Sequence, residues 1–298
     1  MAILAGRTTT SRQAASSKER IFNRGRTGRV VLLWVLNVFF LAFFLFPFYW
    51  QTITALKPPS ELYAQPVVWF PSHLYWGHFQ AVFTGFHFEQ NIFNSVLVAT
   101  VTTVLCLVLG TFAAYALAKL PLPAKKTILV LVVTMVTFPA IALVASLFLV
   151  LRSLGLIDTY QALIVPYVAF SLPFTIWVLT NFFRDIPGDL AEQAEVDGCT
   201  PLQSLTRVIL PLSAPGLVTV ALLVFIGAWN EFLFAFTFTS RADTMTIPVA
   251  IYNFNGVHEV PWGEISAGSE LVTLPIIALV LIFQRRLVQG LTAGASKG

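Results

Sequence analysis

Carboxylate side chains are concentrated in one polar segment that separates two long apolar runs. Residues 184–213 contain five acidic and two basic residues, which gives the segment a net charge of −3. Asp189, Glu192 and Glu195 recur every three residues, so a helix would carry them on one face. Like charges at this spacing repel by about 0.2–0.5 kcal/mol per pair, and a basic groove on a partner protein would turn that cost into attraction. The pattern predicts a docking helix or, as the alternative, a solvated amphipathic loop.

The same segment carries start and stop signals for two short helices. Asp185 is suited to cap the first helix, and Gly198 is suited to end it, because glycine readily adopts the left-handed conformation of a helix C-cap. Thr200, followed by a proline, marks the start of the second helix. Pro211 is expected to end that helix after Leu210, because proline lacks a backbone donor and clashes with the preceding turn. We therefore expect two short helices that meet at an angle.

Three adjacent residues in a later apolar run, Trp229, Asn230 and Glu231, are a second candidate site. A carboxylate inside a membrane span is costly and usually faces the interior of the bundle. One interpretation is that these residues line a translocation path, where the carboxylate and the amide would hydrogen-bond to a polar solute. The alternative is a hydrogen bond between helices that fixes their packing.

Patterns for catalysis or metal binding are not found in the sequence. There is no G-x-x-x-x-G-K-[S/T] phosphate loop, so we expect no ATP hydrolysis by this chain. Neither Cys106 nor Cys199 has a second Cys or His at zinc-ligand spacing. We expect no catalytic residue, no metal site and no cofactor bound by this chain.

The composition excludes most soluble proteins. Of the 298 residues, 57% are hydrophobic and 11% are charged, whereas a soluble domain has about 25% charged residues. A helix needs about 20 apolar residues to cross a bilayer core of about 30 Å. Six stretches meet or approach this length: 30–52, 92–118, 127–151, 160–183, 214–238 and 269–284. We therefore predict an all-α membrane protein with six transmembrane helices in one domain over residues 30–284.

The distribution of lysine and arginine sets the expected orientation. With the N terminus in the cytoplasm, 15 of the 18 basic residues fall in cytoplasmic segments, as the positive-inside rule requires. Both termini are then cytoplasmic, as a disordered basic segment at residues 1–29 and a tail at residues 285–298. Because the positive charge is explained by topology, no nucleic-acid partner is expected. The acidic segment lies on the same side, against the charge rule, which indicates a role other than topology.

Two longer segments, residues 53–91 and 239–268, fall on the external side and are rich in proline and aromatic residues. Trp and Tyr favour the level of the lipid headgroups, so an interfacial belt is one interpretation. A docking surface for an external partner is the other.

Three motifs together resemble one family of transport proteins. Residues 192–211 resemble the EAA motif of ABC importer permeases, and Gln193 replaces the usual second alanine. Residues 227–240 resemble the fifth-helix signature of the carbohydrate-uptake group, and residues 273–298 resemble the C terminus of maltose-transporter G-type (MalG-like) permeases. The positions that match the EAA motif are Glu192, Ala194, Asp197, Gly198, Leu210 and Pro211.

The resemblance implies the type I (MetI-like) permease fold in a bacterial inner membrane and a function in sugar import. It implies a heterodimer with a second, homologous permease, a pair of cytoplasmic ATPases that carry ATP and Mg, and an extracytoplasmic sugar-binding protein. The EAA segment would be the coupling helix, with Glu192 against basic residues of the ATPase. Gly198 would set the bend between the short helices, and Asp197 would support it.

Two other classes of function fit the sequence less well than sugar import. A secondary transporter or channel that acts alone, driven by an ion gradient, would need coupling carboxylates, and no apolar stretch carries a cluster of them. A membrane enzyme would need a metal site or a nucleophile with its base, and all four histidines lie in the external segments. Neither class explains the acidic segment.

Overall fold

The computed structural model describes residues 6–86, 88–254 and 260–293, with side chains described except at 6–28, 195 and 286–293. Regular structure in these ranges is entirely helical. In chain order the α-helices are α1 (Gly6–Leu56), α2 (Pro59–Leu62), α3 (Gly77–Phe86), α4 (Phe88–Lys119), α5 (Lys125–Val136), α6 (Val144–Ser153), α7 (Tyr160–Asp185), α8 (Gly188–Val196), α9 (Pro201–Ser204), α10 (Leu210–Leu212), α11 (Ala214–Trp229), α12 (Leu233–Phe238), α13 (Ile247–Tyr252) and α14 (Trp262–Ala293).

Four helices in the described part are long and apolar enough to cross a bilayer. They are the Arg29–Leu56 part of α1, α4, α7 and the Trp262–Arg285 part of α14. A fifth span results if Pro201–Leu212 and α11, which are bent by 80° to one another, are counted as one. The chain is therefore a multi-pass helical protein, but the described residues do not contain six uninterrupted spans.

The helix predicted at residues 127–151 is broken. α5 ends at Val136 and α6 begins at Val144, with a short 3₁₀ turn between them. Pro139 lies at the break with extended backbone (ψ 115°). Proline lacks a backbone donor and disfavours helical geometry at the residue before it, which explains why the helix stops here.

The helix predicted at residues 214–238 is also broken, at the second candidate site. α11 ends at Trp229, and α12 begins at Leu233 after Asn230 and Glu231. The Glu231 carboxylate accepts hydrogen bonds from two backbone N–H groups of α12. A side chain that satisfies the first donors of a new helix stabilises a break at this point.

The first and last spanning helices are longer than predicted. α1 begins at Gly6 and so continues upstream into the segment predicted to be disordered. The first proline in this helix is Pro47, and the Ala, Arg, Gln and Lys residues upstream of it have good helix propensity. α14 covers Trp262–Ala293 instead of 269–284. The predictions for residues 1–5 and 294–298 lie outside the described residues.

Two apolar clusters hold the helices together. One contains Phe88, Leu163, Phe238 and Ile247, and the other is built around Phe183 and Leu179 of α7. The helices α4 and α7 approach closely at Gly110, where an added Cβ atom would lie 2.4 Å from Thr175 Cγ2. The second cluster also includes residues of the segment that follows α8, which ties the acidic segment to the bundle.

Candidate functional site

The acidic helix α8 has one buried face and one exposed face. Ala194 is buried (7% exposed), and Ala191 packs against the second apolar cluster. Asp189, Glu192 and Gln193 are exposed. The helix is therefore fixed to the protein by its small residues and presents carboxylates to the outside, as a docking surface requires.

Gly198 ends α8 in the left-handed conformation, as predicted, with φ +85°. Asp197 N–H donates to the Gln193 carbonyl at 2.9 Å, and Cys199 N–H donates to the Ala194 carbonyl at 2.9 Å. The second bond spans six residues and is the mark of a Schellman cap. Because an L side chain is disfavoured at this φ, glycine sets the direction in which the chain leaves α8.

Thr200 caps the next helix, also as predicted. Its hydroxyl accepts the Gln203 N–H at 3.3 Å, while Gln203 Oε1 accepts the Thr200 N–H at 2.9 Å. This reciprocal pair is a capping box, and Pro201 occupies the first turn, where its missing N–H is not needed. The start of the second short helix is thus determined by three neighbouring residues.

Two local predictions in this segment were wrong. Pro211 does not end the helix at Leu210, because helical structure continues to Leu212. A π-helical turn at Leu205–Ile209 precedes the proline, and Leu210 N–H donates to the Leu205 carbonyl. This wider turn relieves the clash that a proline makes in a regular α-helix. Asp185 is the last residue of α7 and not the residue before α8.

A contact that sequence reasoning missed joins α4 to the start of the acidic segment. Lys119 Nζ donates to the Ile186 carbonyl at 2.7 Å. Lys119 is the last residue of α4, and Ile186 is the C-cap residue of α7. A basic residue in the last turn of a helix was the available signal, but its partner lies 67 residues away and is a backbone atom, which no side-chain pattern reveals.

The second candidate site is organised around Glu231. Tyr167 of α7 donates its hydroxyl to Glu231 Oε2 at 2.6 Å, and Phe234 N–H donates to Glu231 Oε1 at 2.9 Å. Trp229 is buried (2% exposed), whereas Asn230 is exposed and donates to the Ile226 carbonyl. These contacts favour the packing interpretation for Glu231, and they leave Asn230 as the exposed member of the three.

Asp158, in the turn between α6 and α7, joins that turn to the residues that follow α12. Its carboxylate accepts the Ser240 N–H at 2.5 Å, the Ser240 hydroxyl at 2.8 Å and the Arg241 N–H at 3.1 Å. Burial raises the pKa of this carboxyl, but the hydrogen bonds from Ser240 and Arg241 and the charge of Arg241 outweigh burial and hold the pKa below its usual value. Among the described residues, no group of three or more His, Cys, Asp or Glu is arranged to hold a metal ion.

The described residues form a multi-pass helical bundle with an exposed acidic helix beside its spans. Residues 106–293 match the family described as the binding-protein-dependent transport system inner membrane component. The chain belongs to this family and is related to permeases of sugar ABC importers.

Curated relatives align with nearly the whole chain. The trehalose transport system permease SugB of Mycobacterium tuberculosis is 44% identical over 89% of this chain and 96% of its own length. The sulfoquinovosyl glycerol transport permease SmoH of Agrobacterium fabrum is 41% identical over 85% and 89%. The trehalose/maltose transport permease MalG of Thermococcus litoralis is 40% identical over 85% and 92%.

Solved structures show the same fold at low sequence identity. A chain of a bacterial ABC transporter that imports alginate is 22% identical, with a TM-score of 0.75, over 90% of this chain and 97% of that one. A chain of the MetNI methionine ABC transporter is 19% identical, with a TM-score of 0.55, over 68% and 95%. The fold is therefore that of the MetI-like importer permeases.

Proposed function

We propose that this chain is the permease subunit of a sugar importer and that α8 is the element through which partner ATPases drive it. The observation that carries the proposal is the exposed carboxylate face of α8, with Asp189 and Glu192 outward and Ala194 buried. A rigid helix with this face suits a basic groove. Closure of an ATPase pair would displace α8, and the packed spans would tilt as rigid bodies.

The complete assembly would follow the pattern of the family. This chain would pair with a homologous permease, dock on two cytoplasmic ATPases that bind ATP and Mg, and receive its solute from an extracytoplasmic binding protein. Six spans with both termini in the cytoplasm of a bacterial inner membrane would result if α5 with α6, and α11 with α12, each cross the bilayer as a broken helix. Broken helices at membrane depth are tolerated where protein or a water-filled cavity covers them.

The solute would be a disaccharide or another glycoside. Trehalose, maltose and sulfoquinovosyl glycerol stand in the names of three relatives that are at least 40% identical to this chain. Within this chain, Asn230 is the polar residue of the second site whose side chain remains exposed, so it is the residue we propose for solute contact.

The test uses the complex of both permeases, the ATPase and the binding protein in lipid vesicles. ATP hydrolysis is measured with and without binding protein loaded with trehalose, for the wild type and for Glu192→Lys. We expect loaded binding protein to stimulate wild-type hydrolysis several-fold and the charge reversal to abolish stimulation or ATPase assembly. Lys126→Glu, an exposed charge reversal outside α8, is the matched control and should leave both unchanged.

Two results would contradict the proposal. Uptake by this chain without the ATPase would support the alternative of an ion-coupled transporter or channel. Unchanged assembly and unchanged stimulation in Glu192→Lys would reduce α8 to a solvated helix. If binding protein loaded with trehalose does not stimulate hydrolysis, the measurement is repeated with maltose and with sulfoquinovosyl glycerol. A negative result with all three solutes would reject the proposed solute class.

A further inference from the structure

The junction between α7 and α8 is held by a side chain from a third helix. Lys119 Nζ donates to the carbonyl of Ile186 at 2.7 Å. Ile186 is the C-cap of α7 and has extended backbone (φ −73°, ψ 128°), so its carbonyl is not part of the helix hydrogen-bond ladder. The positive charge also lies where the helix dipole of α7 is negative, which strengthens the contact.

The atoms around this hydrogen bond are fixed on both sides. The Ile186 side chain packs against the second apolar cluster, as does Leu120 beside the lysine. α4 and α7 are in close contact at Gly110 and Thr175. On the far side of the junction only one residue, Pro187, separates Ile186 from the first residue of α8. A displacement of the start of α8 therefore acts on a carbonyl that Lys119 holds.

The segment has a second attachment, which is apolar. Ala191 of α8 packs in the same cluster as Leu205 and Ile209. This contact joins α8 to the helix that follows it, and that helix leads into α11 through the 80° bend. The apolar contact thus connects α8 to α11, whereas the lysine connects the start of α8 to α4.

We propose that Lys119 is a positioning residue that couples the movement of α8 to the α4–α7 pair. This inference rests on the proposed function, because it presumes that α8 receives force from an ATPase. Loss of the lysine donor frees the start of α8 to move without carrying α4 with it. ATP hydrolysis then continues, but its response to the solute-loaded binding protein and the uptake that it drives are both reduced.

The experiment compares Lys119→Met with Lys119→Arg in the assembled complex. Methionine keeps the length and apolar stem of lysine and removes the donor, whereas arginine restores a charged donor. Stimulated hydrolysis and uptake are expressed per assembled complex, with trehalose, or the solute that first stimulates the wild type, as the probe. We expect a three- to tenfold loss of uptake and of stimulation in the Met variant, unchanged basal hydrolysis, and recovery of at least half of the loss in the Arg variant.

A matched lysine and a direct measure of motion separate positioning from folding. Lys126→Met removes an exposed lysine outside the junction and should behave as the wild type. Hydrogen exchange of the α8 amides should be faster in Lys119→Met and normal in Lys119→Arg, since local opening follows the loss of contacts. If Lys119→Met does not assemble, Lys119→Gln, which stays polar, is measured in its place.

Several outcomes would overturn the inference. The first is wild-type stimulation per complex in Lys119→Met. The second is an equal loss of stimulation and uptake in the Met and Arg variants. The third is failure of both the Met and Gln variants to assemble. The last outcome would make Lys119 a folding residue only. If Lys119→Met and Glu192→Lys both show wild-type stimulation, the proposed function itself fails. If Lys119→Met shows wild-type stimulation but Glu192→Lys is defective, only this inference is rejected.

Discussion

The hydroxyl of Tyr167 donates a hydrogen bond of 2.6 Å to Glu231 Oε2 and so joins α7 to the break between α11 and α12. The same carboxylate caps α12 through Phe234 N–H and Ala235 N–H. One side chain thus both sets where α12 begins and fixes the new helix to its neighbour. A carboxylate used in this way has little capacity left for a solute.

Removal of the tyrosine hydroxyl should destabilise the protein more than removal of a neutral hydrogen bond. Tyr167→Phe loses a bond to a carboxylate, which contributes about 1.5–3 kcal/mol, whereas Tyr160→Phe loses a bond to the Asn94 amide oxygen, about 0.5–1.5 kcal/mol. Thermal unfolding midpoints in detergent test the order. An equal or larger fall in the midpoint for Tyr160→Phe would show that the bond to the Glu231 carboxylate contributes no more than the neutral bond.

A side chain at position 198 should disturb α8 because of its left-handed backbone. Gly198→Ala is expected to cost about 1–2 kcal/mol locally, and Gly198→Asn less, since asparagine tolerates this conformation. Hydrogen exchange of the α8 amides and ATPase assembly are the measurements. Gly188→Ala is the control, because φ is not positive there and its Cβ meets no atom within 4 Å. Equal effects at both glycines would refute the cap.

The close approach of α4 and α7 predicts a specific rescue. Gly110→Ala places a Cβ atom against Thr175 Cγ2 and should cost about 1–3 kcal/mol through overpacking. Adding Thr175→Ser removes that methyl group, keeps a hydroxyl able to bond the Ser171 carbonyl, and should restore most of the thermal stability. Gly227→Ala in α11, where the added Cβ meets nothing within 4 Å, is the control. A double variant no more stable than Gly110→Ala would show that the two helices do not meet here.

Asp158 should make stability depend on pH in the acidic range. Because its folded pKa lies below the usual value of about 3.9, the carboxylate stabilises the protein above that pH and loses this contribution as the pH falls through the folded pKa. The difference in thermal midpoint between the wild type and Asp158→Asn should be constant above about pH 5 and shrink below about pH 4. Asparagine tolerates the positive φ of 61° at this position, so the comparison reports the charge.

Asp243→Asn is the control for that experiment. Its carboxylate pairs with Arg241 at 2.6 Å, but both side chains are more than half exposed, so the pair contributes little. We expect a thermal midpoint close to that of the wild type at every pH. A pH-independent difference between the wild type and Asp158→Asn would exclude a charge-dependent role for Asp158.

The sequence predicted the parts of the acidic segment that depend on neighbouring residues. Gly198, Thr200 and Pro201 each act through backbone groups within a few positions, so their residue types are sufficient evidence. The apolar composition in the same way predicted where most spans lie. The contact of Glu192 with an ATPase and the support that Asp197 gives to the bend remain predictions.

The features that were mispredicted or missed depend on distant or competing contacts. Pro211 signals a helix end, and the π turn that accommodates it has no sequence pattern of its own. Apolarity across residues 214–238 hid the break at Glu231, because that break is stabilised by Tyr167 from another helix. The bond from Lys119 to a backbone carbonyl is equally invisible in the order of residue types.

The π turn at Leu205–Ile209 acts as a one-residue insertion in the helical register. Each residue of an α-helix advances about 100°, so side chains after the turn are rotated by about that angle from the positions that a regular helix would give them. A helical wheel drawn from Pro201 through Leu212 would therefore assign Leu210 and Leu212 to the wrong faces. An alignment with a homologue that has a regular α-helix here should place a single-residue gap between positions 205 and 209.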